Sequence, residues 1–542
     1  MTFAKMFSLC CCNVLKYNQE YLMRHLSYYI CVAGSSYLQS SLRQFFKYST
    51  ASTIYALSSG YGKCGVAVIR VSGPKASDAI INIAKFKSLP QPRHALLRSL
   101  KDPVTNETLD KGLVLWFPGP KSFTGENSCE LQVHGGPAVV SSVLSALSKL
   151  PGYRPAEPGE FTKRAFHAGK LDLTEVEGLS DLIHAETEAQ RKQALLQMEG
   201  NLSRLYNSWR EILLKNMAHV EAFIDFSEDE NIEDNIMNVV DNNLRNLRSL
   251  IQNHLQDGRC GERLRDGVRT VIVGEPNVGK SSLLNVLCQR PAAIVTPIPG
   301  TTRDVVELNV SIGGYPVIIA DTAGLRSDTD DVVEKEGISR AHLYVQQADL
   351  VILVIDATKF ITQLNGSSAS FANFVKDYVK ELGLNNVLTK NKLSESEIST
   401  SSFVYEVVDP EKCLIVLNKT DLLHDLEEVE RILQKHKGVS ALSCKTENGI
   451  PYLIDMMTDN LTTLCGNPSR ENPCLTQSRH RHHLTDCLFC LDKYFELSAG
   501  EGDTVLAAEQ LRKALRCIGK ITGHVSTEEV LDVIFRDFCV GK

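Results

Sequence analysis

The stretch V268-RTVIVGEPNVGKSSLLNV-L287 decides the fold. A β-branched run, Val268 to Val273, stops at Gly274, and helix-forming residues follow Lys280. A G-x4-G-K-S phosphate loop needs this strand, loop and helix order. Gly274 and Gly279 permit backbone geometry and close approach that a Cβ would block. The N–H groups of the loop, from Asn277 and Val278 through Ser282, and the helix N-terminus then face the phosphates. Lys280 is placed to reach the β- and γ-phosphates, and Ser281 to ligate Mg2+.

Three further stretches follow in the order a guanine-nucleotide site requires. In "GYPVIIADTAGL", Asp321 follows an apolar strand and leads through Thr322 and Ala323 to Gly324. The Asp can hold Mg2+ through water, and the Gly N–H can register the γ-phosphate. In "CLIVLNKTDLL", Asn418, Lys419 and Asp421 follow another strand. A carboxylate at Asp421 accepts both N1–H and N2–H of guanine, whereas adenine offers no such donor pair, so GTP is expected over ATP. "VSALSCKTENG" adds Ser443, Cys444 and Lys445 as the loop that backs the base. This domain is expected to be α/β with a mostly parallel sheet. Between the first two elements, "IVTPIPGTTRDVVE" offers Thr302 as a second Mg2+ ligand. The position after Gly324 that often carries a water-orienting Gln is Leu325. Asn277 could instead place its side-chain oxygen on a monovalent cation beside the phosphates, which would neutralise charge as an arginine finger does.

The length of 542 residues implies several domains. A net charge of −7 does not suggest a strongly basic nucleic-acid binder, so any RNA site must be local or shared with a partner. The 16 cysteines are scattered, which suits free thiols in a reducing compartment. Cys487 and Cys490, downstream of "RHRHH", are expected as core cysteines one helical turn apart rather than as metal ligands. Residues 1–50 hold one acid, Glu20, against five Lys and Arg and are rich in Ser, Tyr and Leu, the composition of a mitochondrial transit peptide. No apolar run is long enough to predict a membrane span. Leu202, Leu205, Trp209, Ile212 and Leu213 recur at helical spacing and predict a helix with one buried face. Ser526-Thr527-Glu528-Glu529 reads as a capped helix start. About 55 residues separate the strands "LVILVIDA" and "CLIVLNKTD", and a surface insertion over about 360–411 is expected there.

On these motifs the chain resembles the tRNA-modification GTPases called MnmE or TrmE, in their mitochondrial form, over about residues 51–542. The resemblance implies a multidomain α/β protein. A helical domain (171–262 and 467–542) would be interrupted by an inserted Ras-like P-loop GTPase domain (263–466), after an N-terminal α+β folate-binding and dimerisation domain (51–170). It implies K+-stimulated hydrolysis, with K+ held by Asn277, Thr296, Ile298 and Thr301, and homodimerisation. Glu334 matches the family's general acid/base, with Glu336 as the alternative because the spacer here is one residue longer.

The same resemblance gives the first third a role. "TIYALSSGYGKCGVAVIRVSGP", "SFTGENSCELQVHGG" and "GEFTKRAFHAGKLDLTEVEGLSDLIHAETEAQ" match motifs that bind a tetrahydrofolate derivative (5-formyl- or methylene-tetrahydrofolate), with Arg70, Glu130 and Lys170 as contacts. The chain ends on Cys539-Val540-Gly541-Lys542, which fits a prenylation box badly and matches the family's terminal C-x-G-K. Lys542 would then contact the folate, and Cys539 would be a candidate nucleophile or acid/base. The implied activity is GTP hydrolysis in modification of tRNA wobble uridine at C5, in the mitochondrial matrix, with a flavin-dependent MnmG (GidA) type partner. The amine would be glycine or taurine. The rival readings are a ribosome-assembly GTPase of the Era or EngA kind, which would need a KH-type RNA module, and a stand-alone folate-binding protein with a degenerate GTPase.

Overall fold

A computed structural model describes residues 52–226, 235–289, 307–321, 343–366, 371–388, 408, 412–436, 438–469, 473–498, 503–525, 528–536 and 538–542. The chain divides into two compact units, one of residues 1–170 with 535–542 and one of residues 171–534.

In the first unit, period-two alternation places Ala67, Ile69 and Val71 in the core while Val68 and Arg70 take the other face. Strands β1 (Thr53–Leu57), β2 (Cys64–Ser72), β3 (Leu96–Lys101), β4 (Thr108–Phe117), β5 (Ser128–Gly135) and β6 (Tyr153–Pro155) form one sheet in the order β3-β4-β5-β2-β1-β6. All neighbours are antiparallel except β1 and β6. The helices Ala76–Asn82 and Pro137–Ser148 supply Ala79, Ile80, Val143 and Leu147 to a core shared with Ile69, Val71, Val114 and Leu131. Burying such a side chain stabilises by about 1.5–3 kcal/mol, which fixes the register and with it the face each charged residue occupies.

The second unit begins with two helices that carry complete capping boxes. Asp172 and Glu175 cap Leu173–His184, and Thr187 and Gln190 cap Glu188–Met198. Long helices follow over Asn201–Phe226 and Asn235–Leu255. The expected buried face is present in the first of these, with Leu202, Trp209 and Leu213 buried and Leu205 and Ile212 packed beside them. The chain then builds a second sheet from β7 (Val268–Val273), β8 (Glu307–Ile312), β9 (Tyr315–Asp321), β10 (Leu350–Asp356), β11 (Cys413–Asn418) and β12 (Val439–Ala441), in the order β12-β11-β10-β7-β9-β8. Only the β8–β9 pair is antiparallel. Every residue of β10 and β11 is buried, as strands covered on both faces require. Afterwards the helices Ser478–Ser498 and Thr504–Thr522 return to the core of the earlier helices, joining Tyr206, Leu244, Leu484 and Leu511 in one cluster. A helical core interrupted by a mostly parallel α/β sheet is therefore the architecture of this unit.

One expectation needs correction. The segment after β10 is not a surface insertion from about residue 360. It forms the helices Ala357–Gly366, Phe371–Glu381 and Asn385–Leu388, whose Phe360, Phe371, Val375, Leu384 and Leu388 lie in the sheet core. The reason is topological: β10 and β11 are parallel neighbours, and such a pair needs a crossover, usually helical. Residues 389–407 lie outside the described residues. Cys487 and Cys490 are buried in the helical core, as expected of packing residues. Among the described residues no helix is long and apolar enough to cross a membrane.

Candidate functional site

Two constellations carry chemistry, one in each unit. In the second unit, β7 ends at Gly274 and the helix Lys280–Cys288 begins after Gly279. Gly274 and Gly279 hold φ of 156° and 101°, and Asn277 holds 63°. A Cβ on Gly274 would collide with the Val354 carbonyl oxygen, and one on Gly279 with the Asn418 amide nitrogen. Both glycines are therefore required by close approach as well as by backbone conformation. The Lys280 ammonium is buried under the loop and donates to the carbonyl oxygens of Gly274 (3.0 Å) and Glu275 (2.7 Å). Ser281 and Ser282 lie exposed in the first turn of the helix, where N–H groups and a hydroxyl can meet a phosphate and its metal.

Asn418 ties the loops together. Its amide donates to the Val278 carbonyl at 2.8 Å, and its oxygen accepts from the Cys444 N–H at 3.2 Å. Ser443 Oγ donates to Asp421 Oδ1 at 2.6 Å and accepts from the N–H groups of Lys445 and Thr446, so the exposed Asp421 carboxylate is oriented by the loop it faces. Lys419, in a left-handed conformation, pairs with Asp356 at 2.7 Å. Burial pushes the Asp356 carboxyl up, but the bonds from Lys419 and Thr358 outweigh it and hold the group below the usual carboxylate range. Burial also pushes the Cys444 thiol up to about 11, which leaves it a neutral wall of this loop.

Asp356 and Tyr378 belong to this site and were not singled out from the sequence. Tyr378 Oη accepts from the Glu275 N–H and donates to the Val354 carbonyl, both at 2.9 Å, which pins the first peptide of the phosphate loop to the sheet. Asp356 was legible as a carboxylate ending an apolar strand. Tyr378 was not, because only the crossover helix brings it there. Asp321 closes β9. Thr296, Ile298, Thr301, Thr302, Thr322, Ala323, Gly324, Leu325, Glu334 and Glu336 lie outside the described residues.

In the first unit, Arg70 and Glu130 are direct cross-strand partners on β2 and β5, and their side chains pair at 3.1 Å with each 19% exposed. The Arg70 guanidinium stands 5.2 Å from the Phe123 ring centroid and 5.8 Å from that of Phe161. The carboxyl-terminal tail docks in this same unit. Val540 bridges Pro158, Ser58 Oγ donates to the Gly541 carbonyl at 2.9 Å, and the Lys542 N–H donates to the Cys539 carbonyl at 3.2 Å. Lys542 thereby comes under the influence of Arg70, Glu130 and Cys539. Burial, and after it the Arg70 guanidinium, push the Lys542 ammonium below the usual lysine range against the opposing pull of Cys539 and Glu130. Cys539 is exposed.

Lys170 lies beside the loop that carries Phe123, its chain passing Gly125. Arg164, buried, crosslinks that loop to the helix Glu160–His167 by pairing with Glu126 and Glu160, each at 2.9 Å. The four residues expected around a folate thus split. Arg70 and Glu130 pair, the tail that carries Lys542 docks in the same unit, and Lys170 flanks the loop that carries Phe123. Arg164 and Phe123 carried no signal in the sequence beyond their type.

Comparisons with known proteins agree with this geometry. The family model described as "MnmE helical domain" matches residues 173–539, and "GTP-binding protein TrmE N-terminus" matches residues 53–170. A mitochondrial 5-taurinomethyluridine-tRNA synthase subunit of Danio rerio is 53% identical over 90% of this chain and 93% of its own. Its Homo sapiens counterpart is 48% identical over 91% of this chain and 94% of its own. The tRNA modification GTPase MnmE of Parvibaculum lavamentivorans is 44% identical over 90% of this chain and all of its own. A ribosome-assembly reading leaves the first unit and its docked tail without a role. The two family matches together span residues 53–539 and enclose the phosphate loop and the guanine loops, and the chain belongs to the MnmE/TrmE family of tRNA-modification GTPases.

Proposed function

We propose that this chain is the GTP-hydrolysing subunit of a mitochondrial enzyme that modifies the wobble uridine of tRNA at C5. It acts as a homodimer with a flavoprotein of the MnmG (GidA) type, and the amine joined to the base is taurine. The observation that supports this reading is the docked tail, which seats Gly541 and Val540 on the unit that holds the Arg70–Glu130 pair. A folate fits the charges present. Arg70 and Lys542 suit its carboxylates, Glu130 suits the donor edge of a pterin, and Phe123 offers a ring face. When bound, a tetrahydrofolate derivative supplies the one-carbon unit that links base and amine. Cys539, exposed beside Lys542, is the chain's own nucleophile or acid/base at that carbon.

GTP hydrolysis drives conformational cycling. The backbone N–H groups after Asn277 and the Lys280 ammonium hold and neutralise the phosphates. Mg2+ would be held by the hydroxyls of Ser281 and Thr302, and K+ by Asn277 with Thr296, Ile298 and Thr301, whose oxygen donors suit these cations. With Leu325 in the place of a water-orienting Gln, charge neutralisation by the cation and acid/base work by Glu334 take over that task. Asp421 selects guanine by accepting two N–H groups.

The test is mass spectrometry of wobble nucleosides in mitochondrial tRNA from cells lacking the protein. Loss of the taurine-bearing uridine, restored by the wild-type chain, is expected. Unchanged nucleosides would remove the reading.

A further inference from the structure

In a chain of net charge −7, the segment Lys85–Lys101, "KFKSLPQPRHALLRSLK", carries Lys85, Lys87, Arg93, Arg98 and Lys101 with no acid. None of these five appears in an ion pair among the described residues. Two acids close by in the chain are engaged elsewhere, Asp102 by Lys149 and Asp110 by His134. Most of the segment is exposed, and only Phe86 and Leu100 among its side chains are buried.

Two of the five cations sit where side chains are disfavoured. Lys85 and Arg93 hold φ of 52° and 62°, a region that glycine or asparagine enters with less strain. The Arg98 guanidinium lies 4.5 Å over the Phe86 ring, which holds it at the surface without neutralising it. Arg93 donates through Nη2 to the Lys121 carbonyl, in the loop whose Phe123 faces Arg70. Arg93 thereby ties the segment to the loop that borders the candidate folate site.

A simpler account is that lysines guard β3, an edge strand, against pairing with another sheet. It covers Arg98 and Lys101 but not Lys85, Lys87 and Arg93, which precede the strand. We infer that Lys85–Lys101 is a docking surface for RNA backbone phosphates, positioned to lead a tRNA toward the Arg70–Glu130 site. The inference rests on tRNA being the substrate, as proposed above. Five cations free of ion pairs among the described residues, on a largely exposed segment without an acid, match a polyphosphate, whereas a protein of mixed charge would leave most of them unsatisfied.

The test compares the full-length chain with a K85Q/K87Q/K101Q variant in filter binding of an unmodified tRNA transcript at several KCl concentrations. Each phosphate contact contributes about −0.7 to −0.9 to the slope of log K against log salt. The variant should lower the slope by about two to three and weaken binding about tenfold or more at the lower salt, equally for different tRNA sequences. GTP turnover without RNA and folate-analogue binding should not change. In the wild-type chain, tRNA should shield Lys85, Lys87 and Lys101 from amine-directed labelling. That measurement decides the matter even if the variant folds poorly. Equal slopes with no shielding would overturn the inference, and so would binding of the strip to anionic vesicles but not to tRNA. If the variant restores wobble modification as fully as wild type in cells that lose it without the protein, the strip fails while the proposed function stands. If loss of the protein leaves the nucleosides unchanged, the proposed function itself fails.

Discussion

Gly541→Ala tests whether the docked tail completes the folate site. Gly541 holds φ of 100°, and an added Cβ would lie 2.8 Å from the Leu57 carbonyl carbon and 2.9 Å from Ser58 Cα, with the Leu57 oxygen nearer still. All three are backbone atoms, so no rotamer relieves the overlap. Left-handed backbone alone costs an L-residue about 1–2 kcal/mol. The overlap adds to this until the chain moves. Against it stand the hydrogen bond from Ser58 to the Gly541 carbonyl, about 0.5–1.5 kcal/mol, and the bridge of Val540 to Pro158. The strain matches or exceeds these anchors, so the tail should leave its seat and take Lys542 with it. A hydrogen bond to a charged group contributes about 1.5–3 kcal/mol, so affinity for a folate analogue should fall about ten- to a hundredfold. Calorimetric titration of 5-formyl-tetrahydrofolate into the full-length chain reads this directly. Basal GTP hydrolysis, carried by the other unit, should hold its wild-type rate. Undiminished folate affinity in both G541A and K542A would show that the tail is no part of the pocket.

Three further outcomes are expected. Replacing Na+ by K+ should raise GTP turnover sharply, and Asn277→Ala should abolish the difference, so equal wild-type rates in both salts would remove the cation argument. Cys539→Ser should leave GTP hydrolysis near wild type while wobble-uridine modification is lost, and surviving modification would take the thiol out of the chemistry. His254 packs against Tyr206 and Trp209 in the helical core, and burial holds its imidazole down to about 4. Above its unfolded value near 6.5 this group is neutral in both states and has no effect. Between about 6.5 and 4 the unfolded chain takes a proton that the folded chain refuses, so stability falls as the pH falls, by about 3 kcal/mol. Urea melts of wild type and His254→Phe across that range should diverge, with the variant flatter, and parallel curves would assign the acid sensitivity elsewhere.

The nucleotide site was largely legible because its residues are set by contiguous motifs. A phosphate loop needs its two glycines and its lysine at fixed spacing, and the guanine loops each follow an apolar strand, so Gly274, Lys280, Asn418 and Asp421 could be read without knowing where the strands pair. The part of the crossover through Leu388 was read with the insertion because its loop-like flanks "NGSSAS" and "SESEISTSS" masked the short helical pattern around Phe371 and Val375. Tyr378 could not be assigned for the same reason, since its hydroxyl reaches Glu275 only once that helix packs on the sheet.

The first unit shows where one sequence stops being informative. Arg70 and Glu130 are ordinary charges in ordinary strands, 60 positions apart, and only antiparallel pairing of β2 with β5 sets them opposite each other. The final lysine lies farther still along the chain, and its approach depends on the turn at Gly541 fitting against Leu57 and Ser58. By itself the sequence determined the chemistry available: a glycine-rich phosphate-loop motif, a carboxylate after an apolar strand at Asp421, a thiol and lysine in the tail, and a basic segment in an acidic chain. The tertiary structure decided which of those charges meet, because register and close backbone packing, unlike local motifs, depend on residues hundreds of positions away.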